Sequence, residues 1–490
     1  MNLFAVKPLS RILAESEGEH ALKRTLGPVQ LVALGIGAII GAGLFSLTGI
    51  AAANHAGPAV VLSFVLAAFA CAFAGICYSE FSTMIPIAGS AYTYSYATMG
   101  ELMAWIIGWD LVLEYAVGAA TVAVSWSSYV ASLCRDYGVI LPARLMASPF
   151  QAITLDDGTQ GYGLINLPAI FVVVVVSLLL MRGIQESARA NSVIVVLKVS
   201  VVILFIFVGW AYINPANYVP FVPENTGTFG HFGWTGVVRA AGVVFFAFIG
   251  FDAVSTAAQE TKNPQRNMPI GIIGSLVVCT LLYVLFSYVL TGMVNYKDLN
   301  NAAPVASAID LTPYLWLKSV VKMAIIAGYT SVILVMLLGQ SRVFYSMSRD
   351  GLLPKLFSDI HPKFRTPWRS NMLFMVFVGC FAAFTPIKIV GEMTSIGTLF
   401  AFVLVCIGII VMRKTHPEIP RPFRTPLVPF LPIAGVIVNL LLMAGLGWEN
   451  WARLFVWMTL GMAVYFGYSR YHSRLNLPEE GTTNSTSLSR

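Results

Sequence analysis

Runs of about twenty mostly apolar residues, the length that spans a bilayer as a helix, alternate along the chain with short polar segments. They begin near Val29, Ala59, Leu102, Leu167, Ser192, Gly236, Pro269, Ser319, Ser370, Gly391, Leu427 and Trp451. They predict an all-α polytopic membrane protein with 12 transmembrane helices. Residues 1–28 hold no apolar core followed by a cleavage site, so the first span is expected to act as its own signal.

Composition agrees with the pattern. Of the 490 residues, 57% are hydrophobic and only 11% are charged, against about 25% charged in soluble domains. Too little polar surface remains to coat a water-soluble globule. The net charge of +7 does not mark a nucleic-acid binder, which would gather its Lys and Arg on one face; here they lie in the short segments between apolar runs. Six cysteines without close spacing argue against a disulfide scaffold.

The placement of the charges sets the expected orientation. On the side that carries the termini, the segments hold 21 Lys and Arg; the opposite side holds six. Cations are retained on the cytoplasmic side, so both termini are expected there. Lys322 and Arg239 lie near span ends, where long side chains can snorkel. Lys198 does not. The tail from 470 to 490 is polar after Pro478 and reads as disordered.

Two spans are interrupted. The first reads Leu34-Gly35-Ile36-Gly37-Ala38-Ile39-Ile40-Gly41-Ala42-Gly43-Leu44-Phe45, and each glycine gives up about 1 kcal/mol of helix stability relative to alanine. The sixth reads Phe245-Phe246-Ala247-Phe248-Ile249-Gly250-Phe251-Asp252-Ala253, with a glycine and a carboxylate in an apolar run. Gly37 and Gly41 also fit a small-xxx-small packing motif, but packing gives no reason for a second interruption five spans later. Paired interruptions at matching places in two halves point to a transporter's binding site, and unwound backbone at this depth must be buried or line a cavity. The spacing predicts two inverted five-helix repeats, 29–213 and 235–412, followed by a two-helix unit, 426–469.

The run Gly37-Ala38-Ile39-Ile40-Gly41-Ala42-Gly43, with Tyr78-Ser79-Glu80-Phe81, Gly89-Ser90-Ala91-Tyr92, Phe246 to Asp252, Asn263-Pro264-Gln265-Arg266 and Ser348-Arg349-Asp350-Gly351, resembles the amino acid–polyamine–organocation superfamily. Within it the likeness is strongest to bacterial relatives of the cationic amino acid transporters, and it extends from about Leu26 to Tyr468. The resemblance implies the LeuT-type fold and secondary transport of L-amino acids across the cell membrane. A half-helix N-terminus suits a carboxylate, and unwound carbonyls suit an ammonium. By resemblance, Ile40, Gly41, Ala42 and Gly43 would hold the carboxylate, and the carbonyls of Phe246, Ala247 and Ile249 the ammonium, with Phe246 as an aromatic gate. Ala42 stands where many relatives have Thr or Ser, so a hydroxyl contact is absent. Met336 matches a pocket position; a bulky apolar group there would shorten the pocket and favour small or neutral side chains over arginine.

Lys198 is the only charged residue from Ala190 to Pro223. Nine residues beyond Arg189 it stands roughly 13 Å into a core about 30 Å thick, where a charge costs about 2.5 kcal/mol or more. Burial disfavours the ammonium and equips such a lysine to exchange protons. In proton-coupled relatives a lysine matching Lys198 takes the place of the sodium ion that bridges the first and eighth helices. Proton coupling through Lys198 is therefore expected. Sodium is the rival ion, because Thr330 and Ser331 offer hydroxyl oxygens on the eighth span, although a cation at Lys198 would repel it. Glu114 and Asp110, spaced i, i+4 and hence on one face, add a second proton candidate in Glu114; Asp110, Glu80 and Asp252 read as structural.

No metalloprotease or P-loop motif is present, so no enzyme, metal or cofactor is expected. The expected partners are an L-amino acid, a proton and the lipid bilayer, with no nucleic acid. Exchange, or transport of cationic amino acids, is possible on the same fold, and a channel or receptor would show the same site.

Overall fold

In the computed structural model the described residues are 3–8, 26–85, 90–149, 151–155, 158–183 and 188–475. Most of the sequence expected for the terminal segments, 9–25 and 476–490, lies outside them, as do Pro86 to Gly89 of the second loop. Among the described residues, seven helices are long and apolar enough to cross a membrane, or up to eight if the pair Phe430–Gly445 and Trp448–His472, bent by 110°, is counted as one span. Three shorter apolar helices, Pro28–Ile39, Leu167–Met181 and Trp368–Phe384, accompany them. The one hairpin among the described residues, Ala152–Thr154 with Gln160–Tyr162, sits in the loop after the Glu101–Asp136 helix.

Both interrupted runs unwind. The Pro28–Ile39 helix stops at Ile40, whose φ of −71° and ψ of 105° are extended, and the chain resumes as a π-turn from Gly43 to Leu47. The Gly233–Val244 helix tightens into a 3-10 turn over Phe245–Phe248 and ends at Ile249 (ψ 136°). Gly250 follows at φ +112°, a backbone setting that glycine adopts without strain. The half-helices lie against long continuous helices: the Pro264–Met293 helix packs on both Pro28–Ile39 and Val60–Met84, and the Ala188–Trp210 helix packs on Pro28–Ile39 and Leu315–Arg349.

Polar clasps hold the ends. Leu26 N–H donates to the Glu260 carbonyl and Lys262 N–H to the Leu26 carbonyl, each at 2.9 Å, so the lead-in of the first broken helix is paired with the exit of the second. Glu80 is buried and receives Arg413 (2.8 and 3.1 Å) and the Thr425 N–H (2.7 Å), with Arg421 at 3.3 Å. Asp350 receives Lys7 at 2.8 Å and Tyr92 at 2.7 Å. Glu80 thus ties the Val60–Met84 helix to Arg413, Arg421 and Thr425 through a buried ion-pair network. Lys322 does not snorkel: it is fully buried and paired with two carboxylates.

Candidate functional site

The two breaks meet. A Cβ on Gly43 would overlap the backbone of Ala247, and one on Gly250 would sit 3.0 Å from the Ala38 carbonyl carbon. Glycine at these two places lets one unwound segment lie directly on the other. Between them, Tyr283 on the Pro264–Met293 helix brings its hydroxyl 2.8 Å from the Ala247 carbonyl and 3.1 Å from the Ile39 carbonyl. A hydroxyl has one proton, so it donates to one carbonyl at a time. Tyr283→Phe would leave both buried carbonyls without it, at about 1–3 kcal/mol. The expected result is a lower melting temperature together with slower uptake at wild-type expression.

The backbone positions expected to face the amino acid, 40–43, 246, 247 and 249, lie on the two breaks that meet here. Ile40, Ala42, Phe246, Ala247 and Ile249 are each 3% exposed or less. The N–H groups of Gly41, Ala42 and Gly43 fall where the helix restarts, and no preceding turn supplies them with a carbonyl. The Phe246 carbonyl accepts from Ile249 N–H at 3.2 Å and Ala247 from Tyr283, which leaves each a second lone pair. Met336 packs where Gly118 leaves room, its sulfur 3.3 Å from where a Gly118 Cβ would stand, with Thr394 on the same spot. The helix carrying Met336 also presents Val332, 3.4 Å from a Cβ placed on Gly41.

Lys198 is 2% exposed, and its Nζ donates to the Gly37 carbonyl at 2.8 Å, three residues before the first break. Its stem packs on the Leu315–Arg349 helix at Gly328, where a Cβ would lie 2.9 Å from the lysine Cε. The lysine thus lies between the first broken helix and the helix that carries Thr330 and Ser331. Cys279 neighbours both Lys198 and Tyr283. Thr330 is engaged, donating to Ile326 O at 2.9 Å and accepting from Trp126 Nε1 at 3.1 Å.

Glu114 stands four residues before Gly118, in a π-turn of its helix, with Asp110, Asp252 and Thr398. All three carboxyls are 1% exposed or less. Tyr115 donates to Asp252 at 2.7 Å, tying the exit of the second break to the Glu101–Asp136 helix. Neither Glu114 oxygen has a well-aligned hydrogen-bond partner among the described residues, although Asp252 is adjacent.

Sequence reasoning missed Tyr283 and Gly328. Tyr283 stands out only as a hydroxyl in an apolar run and Gly328 as one small residue among many. Among the described residues no three His, Cys, Asp or Glu side chains converge as metal ligands.

The amino acid permease family's sequence model matches residues 26–465. The chain is 44% identical over 475 residues to a methylthioribose transporter of Bacillus subtilis, covering 97% of this chain and 99% of the relative. It is also 44% identical over 476 residues to the branched-chain amino acid permease BcaP of the same organism, with the same coverage. Cationic amino acid transporter 1 of Arabidopsis thaliana is 31% identical over 506 residues, covering 91% and 82%. These matches, along nearly the whole chain, join the two broken helices in saying that the protein belongs to the amino acid permease family of the amino acid–polyamine–organocation superfamily.

Proposed function

We propose that this chain is a proton-coupled symporter of neutral L-amino acids in the cell membrane, with Lys198 as the coupling group. The observation that carries the reading is the 2.8 Å bond from Lys198 to Gly37 O. A cation fixes the first broken helix from outside the pocket, at the place between two helices where a sodium symporter would need its ion. Taking up a proton keeps that bond charge-assisted and strong; giving it up weakens the hold on the half-helix that binds the substrate carboxylate. Glu114 beside Asp252 is a second place where a proton can be held between carboxyl oxygens.

The proposed architecture is two inverted five-helix repeats, 29–213 and 235–412, with a two-helix unit at 426–469 and cytoplasmic termini, twelve spans in all. Its support is that helices start close to all twelve expected positions and that the breaks lie five spans apart. Residues 1–28 and 470–490 are assigned to the cytoplasm on charge.

Substrate preference follows from the pocket wall. Met336 puts a flexible apolar side chain beside Gly118 and Thr394, where it would shorten the space open to a long cationic side chain. Branched-chain or smaller neutral amino acids suit this wall, in keeping with what the BcaP relative is named for. Met336→Ala is expected to lower the inhibition constant of arginine against labelled valine while leaving that of alanine within about twofold. Better displacement by arginine than by alanine in the wild type would contradict the assignment.

A second reading has the methylthioribose transporter behind it. A neutral thio-sugar offers neither the carboxylate nor the ammonium that the two breaks are polarised to receive, so amino acids come first. The deciding experiment is uptake into proteoliposomes with an amino acid panel and methylthioribose, each with and without imposed pH and sodium gradients. Symport requires accumulation driven by the proton gradient alone. A sodium-driven or gradient-independent exchange would overturn proton coupling, and counterflow of internal label separates a carrier from a channel.

A further inference from the structure

The face opposite Leu26 carries a charged cluster that the substrate site does not use. The Pro264–Met293 helix starts beside Leu26 and runs for 30 residues, which carries its end, and residues 296–310 that follow, about 45 Å away to the other face. There the short helix Pro304–Asp310 meets Lys322, a lysine with no exposed surface. Its Nζ lies 2.6 Å from Asp136 at the end of the Glu101–Asp136 helix and 3.4 Å from Asp310. Lys318 joins at the rim, 3.7 Å from the same Asp310 carboxylate.

The other edge of this segment rests on the outer half of the first broken helix. Ser46 donates to the Ala302 carbonyl at 2.7 Å and Asn54 to Asn300 at 2.9 Å. Gly49 lies so close that a Cβ would be 2.5 Å from Pro304 and 2.8 Å from the Leu299 carbonyl. Residues 296–310 therefore bridge a half-helix that starts at the substrate site and two long helices on the far side of it.

We propose that Lys322 is the gate cation of this face: it locks residues 296–310 as a lid over the outer half of the first broken helix. Release of Asp310 from Lys322 is the step that opens the breaks to substrate from that side. The inference rests on the transport reading above.

The geometry shows which contact breaks. A buried ammonium cannot be left without a partner, and Asp136, closer and 24% exposed, stays with it. Asp310 is farther and 45% exposed, so water can take over its carboxylate as the lid lifts. Lys322 thus keeps one counter-charge in both positions, and the lid opens without stranding a charge. On the other edge the contacts are neutral hydrogen bonds, so the lid would travel with the half-helix.

Asp310→Asn is the direct test, since it keeps shape at a half-exposed position. In full-length protein, amide hydrogen exchange in 296–310 and 43–56 is expected to rise tenfold or more, with the Pro264–Met293 helix unchanged. In uptake, the KM from the lid side is expected to fall several-fold while the maximal rate also falls, because more molecules rest open on that side. Lys322→Met should do the same and Lys322→Arg should restore both readouts; Lys318→Gln, which removes the rim cation 3.7 Å from the Asp310 carboxylate and its bond to the Asp310 carbonyl, should loosen the segment less than Lys322→Met. Unchanged exchange in the lid, or a rise spread equally over all helices, would overturn the gate and leave only packing. Should the wild type transport nothing on the panel while Asp310→Asn still loosens 296–310, the transport reading fails and the latch stands.

Discussion

Replacing Lys198 by methionine is expected to remove uptake driven by a pH gradient, by tenfold or more, while exchange of labelled for unlabelled substrate persists. The stem is the reason the variant should fold. Lys198 packs on Gly328 through its methylenes, and methionine offers an unbranched apolar chain of similar length, so the packing between the two helices is kept. What disappears is the bond to the Gly37 carbonyl, of about 1.5–3 kcal/mol for a charged donor, and with it the ammonium proposed to gain and lose the coupled proton. Exchange needs no net proton movement, so it should survive at reduced rate. The measurement is uptake into proteoliposomes at imposed pH differences, beside counterflow on the same preparation. A variant whose uptake still followed the gradient would remove Lys198 from the coupling and shift attention to Glu114 and Asp252.

Alanine at Gly43 is expected to abolish transport and lower the melting temperature, whereas alanine at Gly41 should be tolerated with a modest loss. The two glycines stand two residues apart in the same break, yet their surroundings differ. A Cβ at Gly43 falls on the backbone of Ala247, and backbone cannot rotate away as a side chain can. The two unwound segments would have to separate, breaking the Tyr283 bridge between Ile39 and Ala247. Overpacking of this kind costs about 1–3 kcal/mol and occasionally more. At Gly41 the nearest atom is a Val332 methyl at 3.4 Å, which needs to give only slightly. Equal losses in the two variants, measured as uptake per molecule in the membrane and by thermal shift, would show that helix propensity and not the crossing of the breaks decides.

Much of the site was legible before any fold. Glycine at mid-depth weakens a helix wherever it stands, so Gly41, Gly43 and Gly250 announced unwinding from local physics alone. Lys198 announced itself by cost, as one charge in a long apolar stretch. Tyr283, Gly328 and the Glu114–Asp252 approach gave no such signal, because a tyrosine or a glycine in an apolar helix costs little and becomes significant only through its neighbours. Lys322 misled for the same reason. Near a helix end a lysine normally reaches water, and only Asp136 and Asp310, brought in from two other elements, make burial the better solution.

The sequence by itself thus determined the membrane class, the two breaks and the cost of Lys198, since each follows from the transfer of a residue or a peptide group into lipid and depends on position along one helix. Only the tertiary structure decided that Gly43 lies on Ala247, that Tyr283 joins the breaks, that Lys198 holds Gly37 and that Lys322 latches the segment above. Those are pairings between helices distant in the chain, fixed by packing and by the need of each buried polar group for a partner, and a pattern along one helix carries no record of which neighbour will supply it.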